Sequence, residues 1–498
     1  MIAISSVLAI AAVGPASIVD AALGPVTATY PSAGCPSDGT HDLQTCIDTV
    51  ADGSTIQLAQ DVIDEFAFVT KSLTLEPAAG FHPVMQHVTI EDSGPASAAV
   101  HVTVRNIQLT DYISASFQYG SGHSVTIHGV QVGRNSASAR GISLIAGVSA
   151  SFLVEDSFVR SVATGVDGIQ LYSYNGVGTV LFRVVGNQIT LHGASQGGSG
   201  IMVDVNNGGT ARADLLDNSI WDVAQVGAGG GASGIQVYPD TAVQADVNIV
   251  GNTVDTSGTN GILVRGVAAP GHLSLDLFNN VLSHAHNDGV NIDQPASGTL
   301  TFRAGFNDFF ANRAPNEFAG FAPGPGNLTV NPRFVDRANG DLRLTAASPL
   351  IDAGEVCSPG GVANLDAAGH GRLAGTSVDI GAYERGATTP NGVALVGDGG
   401  ANVLKGTSGN DILCGLGGND TLLGKGGNDY LDGGPGDDTI VGGSGSDRMF
   451  GDAGSDTFCA RDGTHGNDRI YGGSGSDRAD ADSGDTKVSV EHPTSCTQ

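Results

Sequence analysis

Residues 406–459 consist of six consecutive nine-residue units, GTSGNDILC GLGGNDTLL GKGGNDYLD GGPGDDTIV GGSGSDRMF GDAGSDTFC. The same pattern begins at Gly397 with GDGGANVLK and, after three intervening residues, ends with GTHGNDRIY and GGSGSDRAD. Each unit has glycine at its first and fourth positions and an apolar residue at its eighth. Glycine-rich low complexity would not keep this phase. The pattern therefore predicts a regular repeating structure over residues 397–480.

The sixth position of the units carries the chemistry. It is aspartate in every unit except the first, which has Asn402. Six residues suffice for a glycine-containing turn and three for a short strand, so two units would form one turn of a flattened spiral. Aspartates in alternate units then stack in columns, and their carboxylates, together with backbone carbonyls, form an all-oxygen cage that suits Ca²⁺. The predicted calcium ligands are Asp411, Asp420, Asp429, Asp438, Asp447, Asp456, Asp468 and Asp477.

These units resemble the repeat of the RTX, or haemolysin-type, calcium-binding family, whose pattern is G-G-x-G-x-D-x-U-x. The resemblance implies a parallel β-roll that is disordered without calcium and folds at extracellular calcium levels. A physical reason independent of the family supports this expectation. Stacked carboxylates repel one another until a cation lies between them.

The spacing of the cysteines within the units limits their pairing. Cys414 and Cys459 both occupy position nine and lie an odd number of units apart, which places them on opposite sheets of the roll. A bridge between them is excluded because a disulfide tolerates only about 7 Å between Cα atoms. Cys459 is better placed to pair with Cys496, and Cys35 with the nearby Cys46. Six cysteines in total fit an oxidising compartment.

A looser repeat occupies residues 50–330. A strand that starts with glycine and an apolar residue recurs at positions 141, 168, 200, 234, 261 and 289. A second recurrence places one asparagine in each interval, at Asn187, Asn218, Asn252, Asn280 and Asn307. Short alternating strands with a period near thirty residues and no helical segments predict a right-handed parallel β-helix with a ladder of stacked asparagines. Separate β-sandwich domains are the alternative, but they would not keep one asparagine per interval.

The flanks of this repeat support a division of the chain. Residues 52–77 resemble the first rungs of pectate-lyase-like β-helix proteins, and residues 331–354 and 378–384 resemble a segment that ends such helices in bacterial surface proteins. The apolar run within residues 1–22 predicts a secretory signal peptide. We therefore expect an all-β chain with five parts: signal peptide 1–22, β-helix 23–385, linker 386–396, calcium-bound β-roll 397–480 and tail 481–498.

One outward face of the β-helix carries candidate functional residues. Strand alternation sends one row of side chains away from the core, and this row includes Asp204, Tyr238, Arg265 and Asp293. An aromatic ring and acids beside an arginine can hold a sugar chain, with Arg265 neutralising a uronate carboxylate and Asp293 or Tyr238 acting as a base. The alternative is that these positions are polar only because they face water. These four residues are therefore candidate catalytic residues.

The layout, a β-helix followed by RTX repeats, resembles that of secreted mannuronan C5-epimerases. Those enzymes carry a Tyr-Gly-Phe-Asp-Pro-His run, and no Asp-Pro-His occurs in this chain. The paired aspartates of polygalacturonase-type hydrolases are not found outside the repeats either, because the only adjacent aspartates, Asp437–Asp438, belong to a calcium-binding unit. Architecture alone therefore leaves open whether the protein is an enzyme.

The charge and hydropathy of the chain narrow the class of partner. A formal net charge of −29 repels nucleic acid and anionic lipid and attracts cations. Past the N-terminal run, no segment is long and apolar enough to span a membrane. The sequence predicts a secreted calcium-binding solenoid that binds a glycan or partner in the extracellular matrix or at a cell surface. The alternative is a calcium-dependent lyase or C5-epimerase acting on uronic-acid polymers.

Overall fold

The computed structural model describes most of the chain beyond the N-terminal segment. The described residues are 25–32, 35, 43–61, 63, 65–95, 98–133, 141–160, 166–174, 178–191, 198–206, 210–223, 232–239, 243–266, 269–293, 297–313, 318–319, 324–375, 377–386, 392–464 and 467–496. The predicted signal peptide at 1–22 lies outside them. Within the described residues, no helix is long and apolar enough to cross a membrane.

The N-terminal two thirds form a parallel β-helix, as the repeat predicts. Its strands stack into three ladders, here called faces 1, 2 and 3, and faces 2 and 3 join into one sheet through the long strand Gln108–Phe117. Helix Leu43–Thr49 lies near the first rungs. Face 1 contains Thr27–Tyr30, Ser54–Leu58, Leu73–Pro77, His101–Arg105, His123–His128, Ala150–Glu155, Thr179–Val185, Thr210–Leu216, Gln244–Val250, His272–Phe278 and Thr299–Gly305. Face 2 contains Ala67–Val69, Val84–Glu91, Gln108–Phe117, Gly141–Ala146, Ile169–Ser173, Ile201–Val205, Ile235–Pro239, Ile262–Val264, Val290–Ile292 and Phe318–Ala319. Face 3 contains Gln131–Val132, Phe158–Arg160, Gln188–Thr190, Ser219–Val223, Thr253–Ser257, Val281–Ser283 and Asp308–Phe310.

The glycine that starts each face 2 strand lies at a crowded corner. A Cβ atom on Gly200 would lie 2.5 Å from Ile220 Cγ2, and one on Gly234 would lie 2.2 Å from Val254 Cγ1. These contacts come from core side chains of face 3. At Gly168, Gly200, Gly234 and Gly261 the recurrence therefore reflects packing density rather than a special backbone angle, whereas Gly141 also has a positive φ of 77°.

The predicted asparagine ladder is present at the turn between faces 1 and 3. The backbone N–H of Asn218 donates to Asn252 Oδ1 at 3.0 Å, and that of Asn252 donates to Asn280 Oδ1 at 2.9 Å. The Asn307 N–H extends the ladder to Asn327, which the sequence analysis did not include. The five predicted ladder asparagines have no exposed surface, so they satisfy turn backbone groups that water cannot reach. The residue before each one has positive φ in several rungs, for example Asp217 at 53°.

A closing segment covers the outside of face 3 and the turn beside it. It begins with an antiparallel hairpin, Phe334–Asp336 and Asp341–Leu344, around a 3-10 helix at Arg337–Asn339. The guanidinium of Arg372 is buried and lies 3.5 Å from Asp217 of the β-helix and 3.7 Å from Glu384. Burial raises the pKa of Asp217 to about 7 and that of Glu384 to about 8, although Arg372 opposes both shifts.

The C-terminal region is a second, flatter parallel solenoid with two main sheets. Sheet R1 contains Ala394–Val396, Ile412–Cys414, Tyr430–Asp432, Arg448–Phe450, Arg469–Tyr471 and Thr486–Val488. Sheet R2 contains Val403–Lys405, Thr421–Gly426, Thr439–Ser444, Thr457–Cys459, Arg478–Asp480 and His492–Pro493. A small third sheet pairs Ala453–Gly454 with Ser474–Gly475. The position-eight side chains pack between R1 and R2, as the units predict.

The paired strands of the roll extend past the nonapeptide units at both ends. Ala394–Val396 falls in the segment predicted as a linker, and the strands after residue 485 fall in the predicted tail. The first R1 strands also pack against the closing segment, where Ile412 and Cys414 share an apolar cluster with Val356, Val362 and Val378. The repeat pattern does not predict these additional strands because they lack the glycine and aspartate positions of the unit.

All six cysteines are paired. The bridges Cys35–Cys46 and Cys459–Cys496 are those that the sequence analysis favoured. Cys414 and Cys459 lie on R1 and R2 respectively, as the odd unit spacing requires. The third bridge, Cys357–Cys414, joins the closing segment of the β-helix to the roll and was not predicted.

Candidate functional site

The aspartates of the nonapeptide units form two buried columns in the roll. In each column the backbone N–H of one aspartate donates to Oδ1 of the aspartate one turn further on. Asp411 donates to Asp429 at 2.8 Å, and Asp420 donates to Asp438 at 2.7 Å. After the three-residue insertion the columns continue, with Asp447 donating to Asp468 and Asp456 to Asp477, each at 2.9 Å. All eight predicted ligands are at most 2% exposed.

The second carboxylate oxygen in the columns lacks a hydrogen-bond donor. Oδ2 is buried and without a hydrogen-bond partner in Asp420, Asp429, Asp438, Asp447, Asp456, Asp468 and Asp477. Except in Asp468, this oxygen faces the first glycine of its own unit; a Cβ on Gly424, for instance, would lie 2.3 Å from Asp429 Oδ2. A buried anionic oxygen without a donor is costly unless a cation compensates it. The donor set, two carboxylates per gap plus backbone carbonyls, fits Ca²⁺.

The electrostatics of the columns point the same way. Burial, reinforced by the neighbouring aspartates of the column, raises the pKa of Asp429, Asp456 and Asp468 to about 7. Burial raises the pKa of Asp438 and Asp447 to about 6. A divalent cation in the gaps would reverse both causes, because it neutralises the carboxylates and replaces their lost solvation.

Side-chain oxygens at position five of the units accept backbone N–H groups from the next turn and so form outer ladders. The N–H of Asn428 donates to Asn410 Oδ1, and that of Ser446 donates to Asn428 Oδ1, both at 2.8 Å. These bonds fix the turns that carry the aspartates. Among the described residues, no cluster of three or more His, Cys, Asp or Glu side chains could hold a metal by side chains alone.

The family comparison agrees with this geometry. The model of the RTX calcium-binding nonapeptide repeat matches residues 395–422, 423–458 and 462–488. This segment consists of RTX calcium-binding repeats. No curated protein matches the chain. Among solved structures, the chain is similar to the crystal structure of pectate lyase Pel9A, with 14% sequence identity, a TM-score of 0.34, and coverage of 72% of this chain and 96% of that one.

The outward row on face 2 lies in continuous register, as strand alternation predicts. Tyr172 pairs with Asp204 and Asp204 with Tyr238 on successive strands. Arg265 follows on the next rung, with its guanidinium carbon 5.6 Å from the centre of the Tyr238 ring. Arg265 Nη1 also donates to Asp293 Oδ2 at 2.8 Å. The structure therefore brings all four catalytic candidates into one outward row, in which Arg265 is exposed and the other three are half-buried.

A groove of about 590 Å³ runs along this row. Its lining includes Asp204, Tyr238, Arg265 and Asp293. Gln236 lies buried beside them and accepts a hydrogen bond from Ser199 Oγ at 2.6 Å. The aromatic ring, the guanidinium and the carboxylates offer stacking, cationic and hydrogen-bonding contacts to one extended ligand.

Next to the groove, a carboxyl group has an altered acidity. Burial raises the pKa of Asp167 to about 6, and the nearby Asp204 adds to the rise, while a hydrogen bond from the Ser199 N–H opposes it. A carboxyl poised near neutrality is a candidate for proton transfer. Asp167 is not predicted by the repeat pattern because it lies just before the repeating strand rather than within it.

A second polar cluster was also missed. Asp255 is fully buried on face 3 and accepts hydrogen bonds from Arg337 Nε, at 2.8 Å to Oδ2, and from Ser283 Oγ. His284 Nδ1 lies 2.8 Å from Asp255 Oδ1, so this histidine has a fixed partner. Arg337 belongs to the closing segment. The cluster therefore fastens that segment to the β-helix, and no spacing in the sequence signals it.

Proposed function

We propose that the protein is exported and works outside the cell, where calcium loads the roll and the face 2 groove binds an acidic polysaccharide. The pairing of all six cysteines supports an oxidising location. Calcium-binding repeats in which the aspartate Oδ2 atoms lack hydrogen-bond donors suit a compartment that is rich in calcium. The protein would thus act as a calcium-dependent binding protein in the matrix or at a cell surface.

One observation carries the binding proposal. The row from Tyr172 to Asp293 offers an aromatic ring and a guanidinium on adjacent rungs of a rigid, exposed ladder. Successive rungs are about 4.8 Å apart, so a polymer lying along the row meets a new side chain at each step. Arg265 supplies the positive charge for a carboxylate on the ligand. Asp204 and Asp293 lie beside Arg265 and would repel an anionic polymer. Calcium or another cation is therefore needed to screen this repulsion.

A glycan-binding screen with and without calcium tests this proposal. Arg265→Ala should weaken binding of an acidic glycan about tenfold, which corresponds to about 1.4 kcal/mol. Arg212→Ala is the matched control, because Arg212 is equally exposed and bonds to Asp214 on face 1, away from the groove. Equal binding by both variants, or binding of no acidic glycan by the wild type, would contradict the proposal.

The raised pKa of Asp167 favours a second function, a lyase or C5-epimerase acting on uronic-acid polymers. Both reactions begin with removal of a proton next to a carboxylate, which a base poised near neutrality can perform. Incubation of the calcium-loaded protein with alginate and with pectate distinguishes the two functions. Unsaturated ends or altered uronate epimer content that disappear in Asp167→Asn would support catalysis, and their absence in the wild type would remove it for these substrates.

A further inference from the structure

The two aspartate columns do not end with the last nonapeptide unit. The N–H of Asp468 donates to Asp485 Oδ1 at 3.4 Å, continuing one column. The N–H of Asp477 donates to Glu491 Oε2 at 2.9 Å, continuing the other. These bonds repeat the pattern seen between aspartates inside the roll, such as Asp456 to Asp477 at 2.9 Å. Two carboxylates from outside the units thus take the place of the next aspartate.

The fold of the tail explains how these residues reach the columns. Thr486–Val488 pairs with R1 and His492–Pro493 pairs with R2, so the tail forms a final turn of the roll. The Cys459–Cys496 bridge and a hydrogen bond from the Cys496 N–H to Asp480 Oδ2 fasten its end. Asp485 lies 17 residues after Asp468, and Glu491 lies 14 after Asp477, instead of the interior 18. The longer glutamate side chain suits the shorter connection.

The last aspartates of the units, like the interior ones, have a buried carboxylate oxygen without a hydrogen-bond donor. Asp468 is 1% exposed and Asp477 has no exposed surface, yet Oδ2 of each lacks a hydrogen-bond partner. Each interior gap lies between carboxylates of successive turns. Without the tail, the outermost gap in each column would have a carboxylate on one side only and would bind a divalent cation weakly.

We propose that Asp485 and Glu491 are the outer carboxylate ligands of the last calcium site in each column. The tail is then part of the calcium module, and its closure completes two sites that the nonapeptide pattern alone leaves half-built. This inference rests on calcium binding by the roll, as put forward under the proposed function.

The test is to count bound calcium in the full-length protein by atomic spectroscopy after gel filtration in calcium-buffered solution, and to measure affinities by calorimetry. Glu491→Gln and Asp485→Asn each keep one oxygen that can accept the backbone N–H of the column aspartate. Asp485→Asn also loses the hydrogen bond that Oδ2 accepts from the Asp482 N–H at 2.7 Å, so Glu491→Gln is the cleaner of the two variants. At calcium levels that saturate the wild type, each variant should bind about one ion fewer and the double variant about two fewer. Glu91→Gln, an exposed substitution on the β-helix, is the control and should bind as the wild type does.

The possible outcomes separate the inference from the function on which it rests. A wild type that binds no calcium would remove the calcium function itself. A wild type that binds calcium, with variants of equal stoichiometry and affinity, would overturn only the roles of Asp485 and Glu491. Loss of circular dichroism from the whole roll in either single variant at saturating calcium also counts against the proposal, since a terminal ligand should cost only its own ion.

Discussion

The β-helix and the roll both link successive turns through a ladder of side chains, but the β-helix uses asparagine and the roll uses aspartate. Both are parallel solenoids in which a polar residue at each turn accepts the backbone N–H of its counterpart in the adjacent rung. Asn252 donates in this way to Asn280 Oδ1 at 2.9 Å, and Asp438 donates to Asp456 Oδ1 at 2.9 Å. The geometry of the two ladders is nearly the same, and the chemistry of the remaining side-chain atom differs.

That remaining atom decides whether the ladder is self-sufficient. Asn252 Nδ2 donates to the Leu215 carbonyl at 2.8 Å and to Asn280 Oδ1 at 3.1 Å, so the neutral ladder is complete within the protein. Asp438 Oδ2 is buried with no donor. A single change of atom, from NH₂ to O⁻, thus separates a ladder whose side-chain atoms are paired within the protein from one that leaves a buried anionic oxygen without a donor.

The largest effect that follows is the response to calcium removal. We expect EDTA to unfold residues 397–480 while the β-helix stays folded, because the column carboxylates of the roll have buried oxygens without a hydrogen-bond donor. Hydrogen exchange checks this: amides of residues 397–480 should lose protection with EDTA and regain it with calcium, while those of face 1 keep theirs. Protection that is unchanged, or lost throughout the chain, would contradict the comparison.

The second prediction concerns the β-helix when one asparagine of its ladder is replaced by the aspartate that the roll uses. Asn252→Asp places a carboxylate in a ladder whose other four predicted members are neutral and fully buried. We expect the unfolding free energy to fall by about 3–5 kcal/mol at neutral pH, the usual cost of an uncompensated buried charge. Thermal unfolding followed by circular dichroism measures the loss. Asp246→Asn on the outer side of face 1 is the control, and an equally small effect of both substitutions would contradict the argument.

Periodic features of both solenoids were predictable from the sequence. The aspartate columns and the asparagine ladder each repeat one residue type at a nearly constant interval, and parallel stacking converts that interval into contact. The outward row from Asp204 to Asp293 followed from strand alternation in the same way. Each of these predictions needed only the local period and the direction of the side chain.

Features that join non-repeating segments were not predictable. Asp255 and Arg337 are 82 residues apart, and Cys357 and Cys414 are 57 apart, with no period that links either pair. Glu491 joins its column only because the tail forms an irregular last turn. Such contacts depend on how the closing segment and the tail fold back, and this is fixed by tertiary packing rather than by local pattern.

The third prediction concerns the roll when one aspartate of a column is replaced by the asparagine that the β-helix uses. Asp438→Asn should weaken calcium binding about tenfold, because one gap loses a charged ligand while the backbone hydrogen bond survives. The calcium midpoint of folding, followed by circular dichroism, measures this shift. Asp437→Asn, at the exposed neighbouring position, is the control. A midpoint unchanged in Asp438→Asn would show that the column does not bind the ion.

The smallest expected effect concerns protons in place of calcium. In the metal-free roll the pKa of Asp429, Asp456 and Asp468 is raised to about 7, whereas an unfolded aspartate titrates near its ordinary value of 3.8. The folded roll therefore binds more protons than the unfolded chain between these values, and its stability rises as the pH falls through that window. We expect EDTA-treated protein to recover part of its β-structure at about pH 5 and to lose it again by about pH 8. A protonated carboxyl resembles the neutral amide of Asn252 in carrying no charge, so partial recovery is what the comparison of the two ladders requires. Circular dichroism that does not change over this range would mean that charge in the columns is not what keeps the metal-free roll unfolded.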